Sequence, residues 1–114
     1  MLKLKRIYEK PQRKDGVRVL VDRLWPRRLS KDKAMINKWM KEIAPSNNLR
    51  KWFDHKEGRW EEFKARYSEE LKNKKSLIKE LKVFSKNKNV TLLYAAKDKE
   101  MNNARVLLGF LKRQ

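Results

Sequence analysis

The amino-acid sequence predicts an α/β domain, a short and mostly parallel sheet covered by helices. Two short runs, at 17–24 and 90–96, have the nearly continuous apolar, β-branched character of strands covered on both faces. Between them, apolar residues recur every three or four positions over about fifty residues, the spacing of helices that each bury one face. A further helical segment follows the second run. Strands joined through helices pair in parallel with right-handed crossovers. The expected arrangement is a small three-layer Rossmann-like or flavodoxin-like domain. With no repeat, low-complexity stretch or linker in its 114 residues, the chain reads as one domain, residues 1–114.

The elements follow from local patterns. Residues 2–8 alternate apolar and basic, which is a strand with one dry and one wet face. Pro11 stops pairing, and Asp15-Gly16 is a turn pair. The second strand, 17–24, ends at Pro26, which biases Trp25 toward extended backbone. Ser30 is a plausible N-cap for a helix from about 32 to 43, with Met35, Ile36, Trp39, Met40 and Ile43 on one face. Ala44-Pro45 ends that helix, and Ser46 caps a short one over 47–53 that carries Leu49, Trp52 and Phe53 inward. After a polar joint at 54–58, Trp60, Phe63, Tyr67 and Leu71 mark a helix over about 59–72. Residues 73–76 break it. Ser76 is the expected cap of the next helix, which runs to about 86 with Leu77, Ile78, Leu81 and Phe84 inward. A turn at 87–89 leads into the strand 90–96, apolar throughout and so central and parallel. After a polar loop at 97–102, the last helix spans about 102–112 and buries Ala104, Leu107, Leu108 and Leu111.

Composition narrows the classes of function. Charged residues make up 40% of the chain, against about a quarter in an average domain, and the formal net charge is +18. A basic chain attracts nucleic acid, nucleotides or anionic surfaces, although a lysine-rich compositional habit would give the same number. There are no cysteines, which excludes disulfides, thiol nucleophiles and thiolate metal sites. One histidine and scattered carboxylates show no metal-ligand spacing, so no metal is expected. Three glycines leave no room for a Gly-rich phosphate loop. The opening residues alternate charge with no apolar core, and no run approaches the roughly 20 apolar residues that span a bilayer; a cytoplasmic protein is expected.

One stretch stands out. Arg18-Val-Leu-Val-Asp-Arg-Leu-Trp-Pro-Arg27 carries ionisable and aromatic side chains straight into the end of a core strand. The strand over 90–96 likewise ends in Lys97-Asp98, followed by Asn102-Asn103. In parallel sheets ligands sit beyond the carboxyl ends of the strands, so the two sets should meet at one rim. Arg18, Arg23, Trp25, Arg27, Lys97, Asn102 and Asn103 are the candidate binding residues. The arginines offer forked donors to phosphate or carboxylate, Lys97 a point charge, Trp25 a stacking platform, and the asparagines hydrogen bonds to ribose or base. Asp22 and Asp98 are candidate catalytic carboxylates, each able to serve as a general base. The bland alternatives stand beside these roles. Asp22 can pair structurally with Arg18 or Arg23, Asp98 and Asn102 can cap the last helix, the tryptophans can be core, and His55 can simply anchor its loop.

Three readings follow. In the first, a basic pocket binds a phosphorylated small molecule or nucleotide, with turnover left open and the cofactor unknown. In the second, a non-catalytic module binds nucleic acid through its charge. In the third, the chain is a partner-binding domain whose polar edge is an ion-pair network.

The block 18–27, together with Ala44-Pro-Ser46, Leu49-Arg-Lys-Trp-Phe53, Arg59-Trp60 with Phe63 and Tyr67, and Val90-Thr-Leu-Leu-Tyr-Ala-Ala-Lys-Asp98 with Asn102-Asn103-Ala104, resembles the YeaO-like branch of the "domain of unknown function 488" family. The match is colinear over nearly the whole chain. The resemblance implies a small cytosolic α/β domain and brings no reaction with it. Other branches of that family carry Cys and a Cys-His-Arg element near the last strand. This chain has Ala95-Ala96 and Asn102-Asn103 there, so no thiol or metal role transfers. Where the YeaO-like pattern has Gly after Pro-Arg, this chain has Arg28.

Overall fold

The computed structural model describes residues 1–113. Four strands, β1 (Leu2–Arg6), β2 (Val17–Leu20), β3 (Lys38–Trp39) and β4 (Val90–Tyr94), form one wholly parallel sheet in the order β1-β4-β2-β3. Five helices accompany them: α1 (Lys31–Ala34), α2 (Asn47–Phe53), α3 (Trp60–Lys72), α4 (Lys75–Asn87) and α5 (Asn103–Arg113). β4 is central and buried along its whole length, as its unbroken apolar run requires.

The two faces of the sheet differ. Val19, Val21, Val90, Leu92 and Tyr94 point to one side, where α2 to α5 supply Phe53, Phe63, Tyr67, Leu81, Leu107 and Leu111 to the main core. Leu20 and Leu93 point to the other side, which is closed by Ile7, Ala34 and a half-buried group that includes Trp25, Leu29, Ile36 and Trp39. One outer layer is therefore four helices, and the other is a single helical turn with its flanking loops.

On that thinner side the alternation of β1, β2 and β4 puts Lys5, Arg18 and Thr91 where a core would want apolar groups. They are satisfied internally. Arg18 is 4% exposed, and its Nη1 pairs with Asp15 at 2.7 Å. Its Nη2 and Nε donate to the carbonyls of Ala34 (2.8 Å) and Met35 (3.0 Å). Lys5 Nζ reaches both Asp15 oxygens at 3.1 Å, and Thr91 Oγ1 donates to Asp15 O. Burial pushes the Asp15 carboxyl up, but the Gln12 amide, Lys5 and Arg18 outweigh it and hold the group below its ordinary value. Gly16 completes the approach: at φ 68°, a Cβ there would lie 2.1 Å from Asn89 O.

This network corrects the largest sequence expectation. The helix expected over 32–43 is only the single turn α1, capped by Ser30 as anticipated. Met35 turns left-handed at φ 48°, β3 pairs with β2, and a 3-10 turn covers Lys41–Ile43. The reason is non-local. Arg18 takes the carbonyls that would continue the helix, and Asn37 exchanges bonds with the Arg18 backbone, accepting at Oδ1 (2.7 Å) and donating to O (2.8 Å). The apolar spacing of Ile36, Trp39, Met40 and Ile43 is real, but Trp39 and Ile36 serve the thin face while Met40 and Ile43 serve the main core. Smaller corrections concern boundaries. β2 stops at Leu20 and β4 at Tyr94: Val21 N still bonds to Leu93 O, but Val21 O accepts from the Asn103 side chain and Ala95 N donates to the Asp22 side chain. Ser76 lies inside α4, whose N-cap is Lys74. The helices expected over 47–53 and 59–72 match α2 and α3 to within a residue, and Ser46 Oγ accepts from Leu49 N as a cap.

Removing the Arg18 guanidinium leaves Asp15 with Lys5 as its one cation, and the buried Ala34 and part-buried Met35 carbonyls without their donor. Arg18→Ala should cost about 3–5 kcal/mol of unfolding free energy in urea titration. A loss below about 1 kcal/mol would mean that the buried pair is dispensable.

Candidate functional site

β2 and β4 are parallel neighbours, so Val21-Asp22-Arg23 and Ala95-Ala96-Lys97 leave the same rim of the sheet. The α2 to α3 joint folds over that rim. The three segments enclose an open cleft of about 970 Å³ lined by Asp22, Arg23, Trp25, Arg27, Lys97, Asp98, Asn102 and Asn103. Eight of the nine residues singled out from sequence therefore face one space. Arg18 does not, since alternation along β2 turns it into the buried network beneath the thin face.

Within the cleft, the side chains divide into those spent on the fold and those left over. Asp22 is spent. Its Oδ2 accepts from Ala95 N (2.9 Å), its Oδ1 from Asn103 Nδ2 (3.1 Å), and its carbonyl from Trp39 Nε1 (2.7 Å). It thereby ties β2 to β4, α5 and β3. Burial pushes its carboxyl above the ordinary 3.8, against the opposing pull of the Ala95 and Asn103 bonds and of His55. Asn103 donates also to Val21 O at 3.0 Å. Asn102 is buried and caps α5, accepting from Arg105 N (2.9 Å) while donating to Asp98 O (2.9 Å). Asp98 Oδ1 accepts from Glu100 N and Met101 N at 2.8 and 3.0 Å. Those amides hold its carboxyl below the ordinary value, with burial opposing and His55 assisting. The asparagines and Asp98 thus build the loop that forms the cleft wall.

Arg23 is largely committed, donating to Pro45 O (3.0 Å) and Ala44 O (3.2 Å) with Glu42 3.9 Å away. Trp25 donates its indole N–H to Leu29 O (2.6 Å) and meets Trp39 edge to face at 5.4 Å. It is a half-buried wall with part of its ring toward the cleft.

Arg27 and Lys97 are exposed, and among the described residues neither side chain has a hydrogen-bonding or ion-pair partner. The structure adds residues that sequence reasoning missed. Lys51 is likewise exposed and unpaired among the described residues, and Arg50 Nε is buried without a partner. Arg6 donates to the carbonyls of Ala95 (3.2 Å) and Ala96 (3.1 Å) and lies 4.7 Å from the Tyr8 ring, whose hydroxyl donates to Arg27 O. His55, a candidate loop anchor, makes no side-chain hydrogen bond among the described residues and lines the same cleft as Asp22 and Asp98. Asp54 and His55 both sit in the left-handed region, at φ 46° and 53°, a costly pair for non-glycine residues. Arg50 and Lys51 carry no signal in sequence, because the outward side of a short helix reads as solvent face until the fold lays it over a sheet edge.

Arg28 takes φ 60°, which supplies a reason for glycine after Pro-Arg in the resembling pattern. Arg28→Gly should raise stability by about 0.5–1 kcal/mol in urea titration, the left-handed penalty outweighing the extra freedom of the unfolded chain. An unchanged or lower value would show that the neighbouring contacts already absorb that penalty.

Asp22 yields a pH prediction. Its folded-state pKa lies above the unfolded one, so the folded protein binds more protons, and this group's contribution to stability falls as pH rises from 3.8 through the raised pKa. Asp22→Asn should flatten that part of the stability profile. If wild type and variant keep the same slope there, Asp22 is not the titrating group.

The comparisons with known proteins agree with one another. The family model described as "Inactive DUF488-N3 subclade" matches residues 1–114. The chain is 39% identical to uncharacterized protein YeaO of Escherichia coli (strain K12) over 111 residues, covering 97% of this chain and 96% of that one. It is 38% identical to uncharacterized protein Rv3073c of Mycobacterium tuberculosis (strain ATCC 25618 / H37Rv) over 110 residues, 96% and 92% of the two chains. No solved structure matches.

Proposed function

The chain belongs to the DUF488 family, within the subclade described as inactive, and from that premise we propose that it is a receptor that binds a phosphorylated small molecule, for preference a nucleotide, without turning it over. The observation that carries this reading is the set of cations in the cleft that make no ion pair among the described residues, although Asp22, Asp54 and Asp98 line the same space. Arg27, Lys51 and Lys97 have no acceptor among the described residues, and Arg50 Nε is buried without one. A buried unsatisfied donor costs about 1–3 kcal/mol, and a bound anion removes that penalty. Arg27 supplies a planar fork suited to phosphate oxygens, while the lysines supply point charges. Tyr8, Trp25 and His55 give the same cleft flat ring surface, and its size lies at the upper end of ordinary small-molecule sites of about 300–1,000 Å³.

The absence of turnover follows from how the other groups are used. Both Asp22 oxygens already accept hydrogen bonds, and one Asp98 oxygen accepts two. No Ser, Thr or Cys lines the cleft among the described residues, and the one lining hydroxyl, that of Tyr8, donates to Arg27 O at 2.8 Å. The subclade's printed description supports the same view.

Thermal shift with nucleoside mono-, di- and triphosphates and inorganic phosphate tests the proposal. One nucleotide should raise the melting temperature by mass action and be recovered unchanged by chromatography. Arg27→Ala and Lys97→Ala should each weaken it by about tenfold or more, as expected for lost charge-assisted bonds. The proposal fails if no nucleotide shifts the transition or if the bound one is consumed. It fails also if affinity is lost gradually over lysines all around the molecule with a steep salt dependence, the behaviour of nucleic-acid binding through the +18 charge.

A further inference from the structure

A second concave surface lies away from the cleft, where α4 crosses the end of α3 and the far part of α5. Val83 and the lysine stems form its apolar surface over the buried Leu71, Ile78 and Phe110, and its rim is Lys72, Lys75, Lys79, Lys82 and Lys86. We propose that this groove is the docking site for an acidic amphipathic helix of a partner protein.

Charge is the first reason. The four rim lysines of α4 stand at helical spacings of three and four residues, where like charges repel and each pair costs a few tenths of a kcal/mol. No carboxylate lines the groove, and those nearby are engaged. Glu80 pairs with Lys38, and Glu69 pairs with Lys72 at 2.9 Å. None of Lys75, Lys79, Lys82 and Lys86 has an ion-pair partner among the described residues. Among the described residues nothing supplies their counter-charge, which leaves that part to a partner.

The floor decides what carries that counter-charge. Val83 is 59% exposed in the middle of the lysine row, and the groove surface is mainly apolar. A nucleic acid would use the lysines and leave this floor wet. It would find no aromatic face to stack on, since Phe110 is only 7% exposed. A bilayer needs a convex apolar surface to insert, and this one is recessed between helices. An extended peptide would gain no backbone partners, because the walls are helices whose main-chain groups are bonded internally. A helix arrives with its own backbone satisfied, sets an apolar ridge on the floor and places Asp or Glu opposite the rim. Lys75 to Lys86 spans about 16 Å, enough for three turns.

The test uses a fluorescein-labelled peptide of about 18 residues, with Leu at every third or fourth position and Glu on both flanks, followed by anisotropy. A scrambled peptide of identical composition, a single-stranded RNA and phosphatidylcholine–phosphatidylserine vesicles serve as competitors. The ordered peptide should bind at least about tenfold more tightly than the scrambled one. The Lys79→Glu/Lys82→Glu double variant should weaken it by about tenfold, and Val83→Glu by a similar factor, both positions being exposed enough to leave the fold intact. Arg27→Ala in the nucleotide cleft should change nothing. The proposal is overturned if ordered and scrambled peptides bind alike, if Val83→Glu is as tight as wild type, or if RNA or vesicles displace the peptide from this face at lower concentration.

Discussion

The buried Arg18–Asp15 pair is the constraint on which the remaining architecture rests. A guanidinium inside a 114-residue domain is tolerable only if nearly every N–H finds an acceptor, and the chain meets that demand by bending itself around the group. Asp15 comes from the β1–β2 connection, and the carbonyls of Ala34 and Met35 from the end of α1. Drawing those carbonyls in ends the helix after one turn and lets β3 join the sheet. It also brings 40–46 beside the rim, where Ala44 and Pro45 offer their carbonyls to Arg23. The cleft is thus set by an ion pair that is not part of it.

Asp22 plays the matching role at the rim itself. One carboxylate holds the first residue beyond β4 and the first residue of α5, so the strands' ends and the helix start keep fixed positions. Each oxygen of the most central carboxylate of the cleft thus already accepts one hydrogen bond, and burial raises its pKa. The groups with unspent capacity are the cations Arg27, Lys51 and Lys97, the orphan Nε of Arg50, and His55 on its left-handed loop. Those groups are what the proposal of an anionic ligand rests on.

Much of the +18 charge is concentrated in two surfaces of different character. The rim cleft combines cations with aromatic walls and hydrogen-bonding loops, whereas the α4 groove sets lysines around aliphatic carbons. The physical distinction lies in what is beneath the charge. Aromatic rings and hydrogen-bonded loops accompany the charge in the cleft, and aliphatic side chains accompany it in the groove. One chain can carry both because they lie on opposite ends of the helical layer: α2 contributes to the first and α4 to the second.

Local pattern was enough for most of the scaffold. The unbroken apolar run of β4, the one-sided spacing in α3 and α5 and the Ser46 cap of α2 are properties of neighbouring residues, and they read correctly because packing reinforced them. The convergence of 22–27 with 97–103 was legible too, since parallel strands place their ends at the same rim. What tertiary structure alone decided were matters of partnership between distant residues. Arg18 turned inward because alternation along β2 aims it away from the rim, and it overrode a helical pattern whose apolar spacing was genuine. Asn102 and Asp98 became builders of the wall because backbone amides stood within reach, and Asn103 because Val21 O and the Asp22 carboxylate did. Arg50 and Lys51 joined the cleft because α2 lies across a sheet edge. Sequence specifies which groups exist and their local geometry. Which of them remain unsatisfied, and so available to a ligand, emerges only when the sheet order β1-β4-β2-β3 distributes the acceptors.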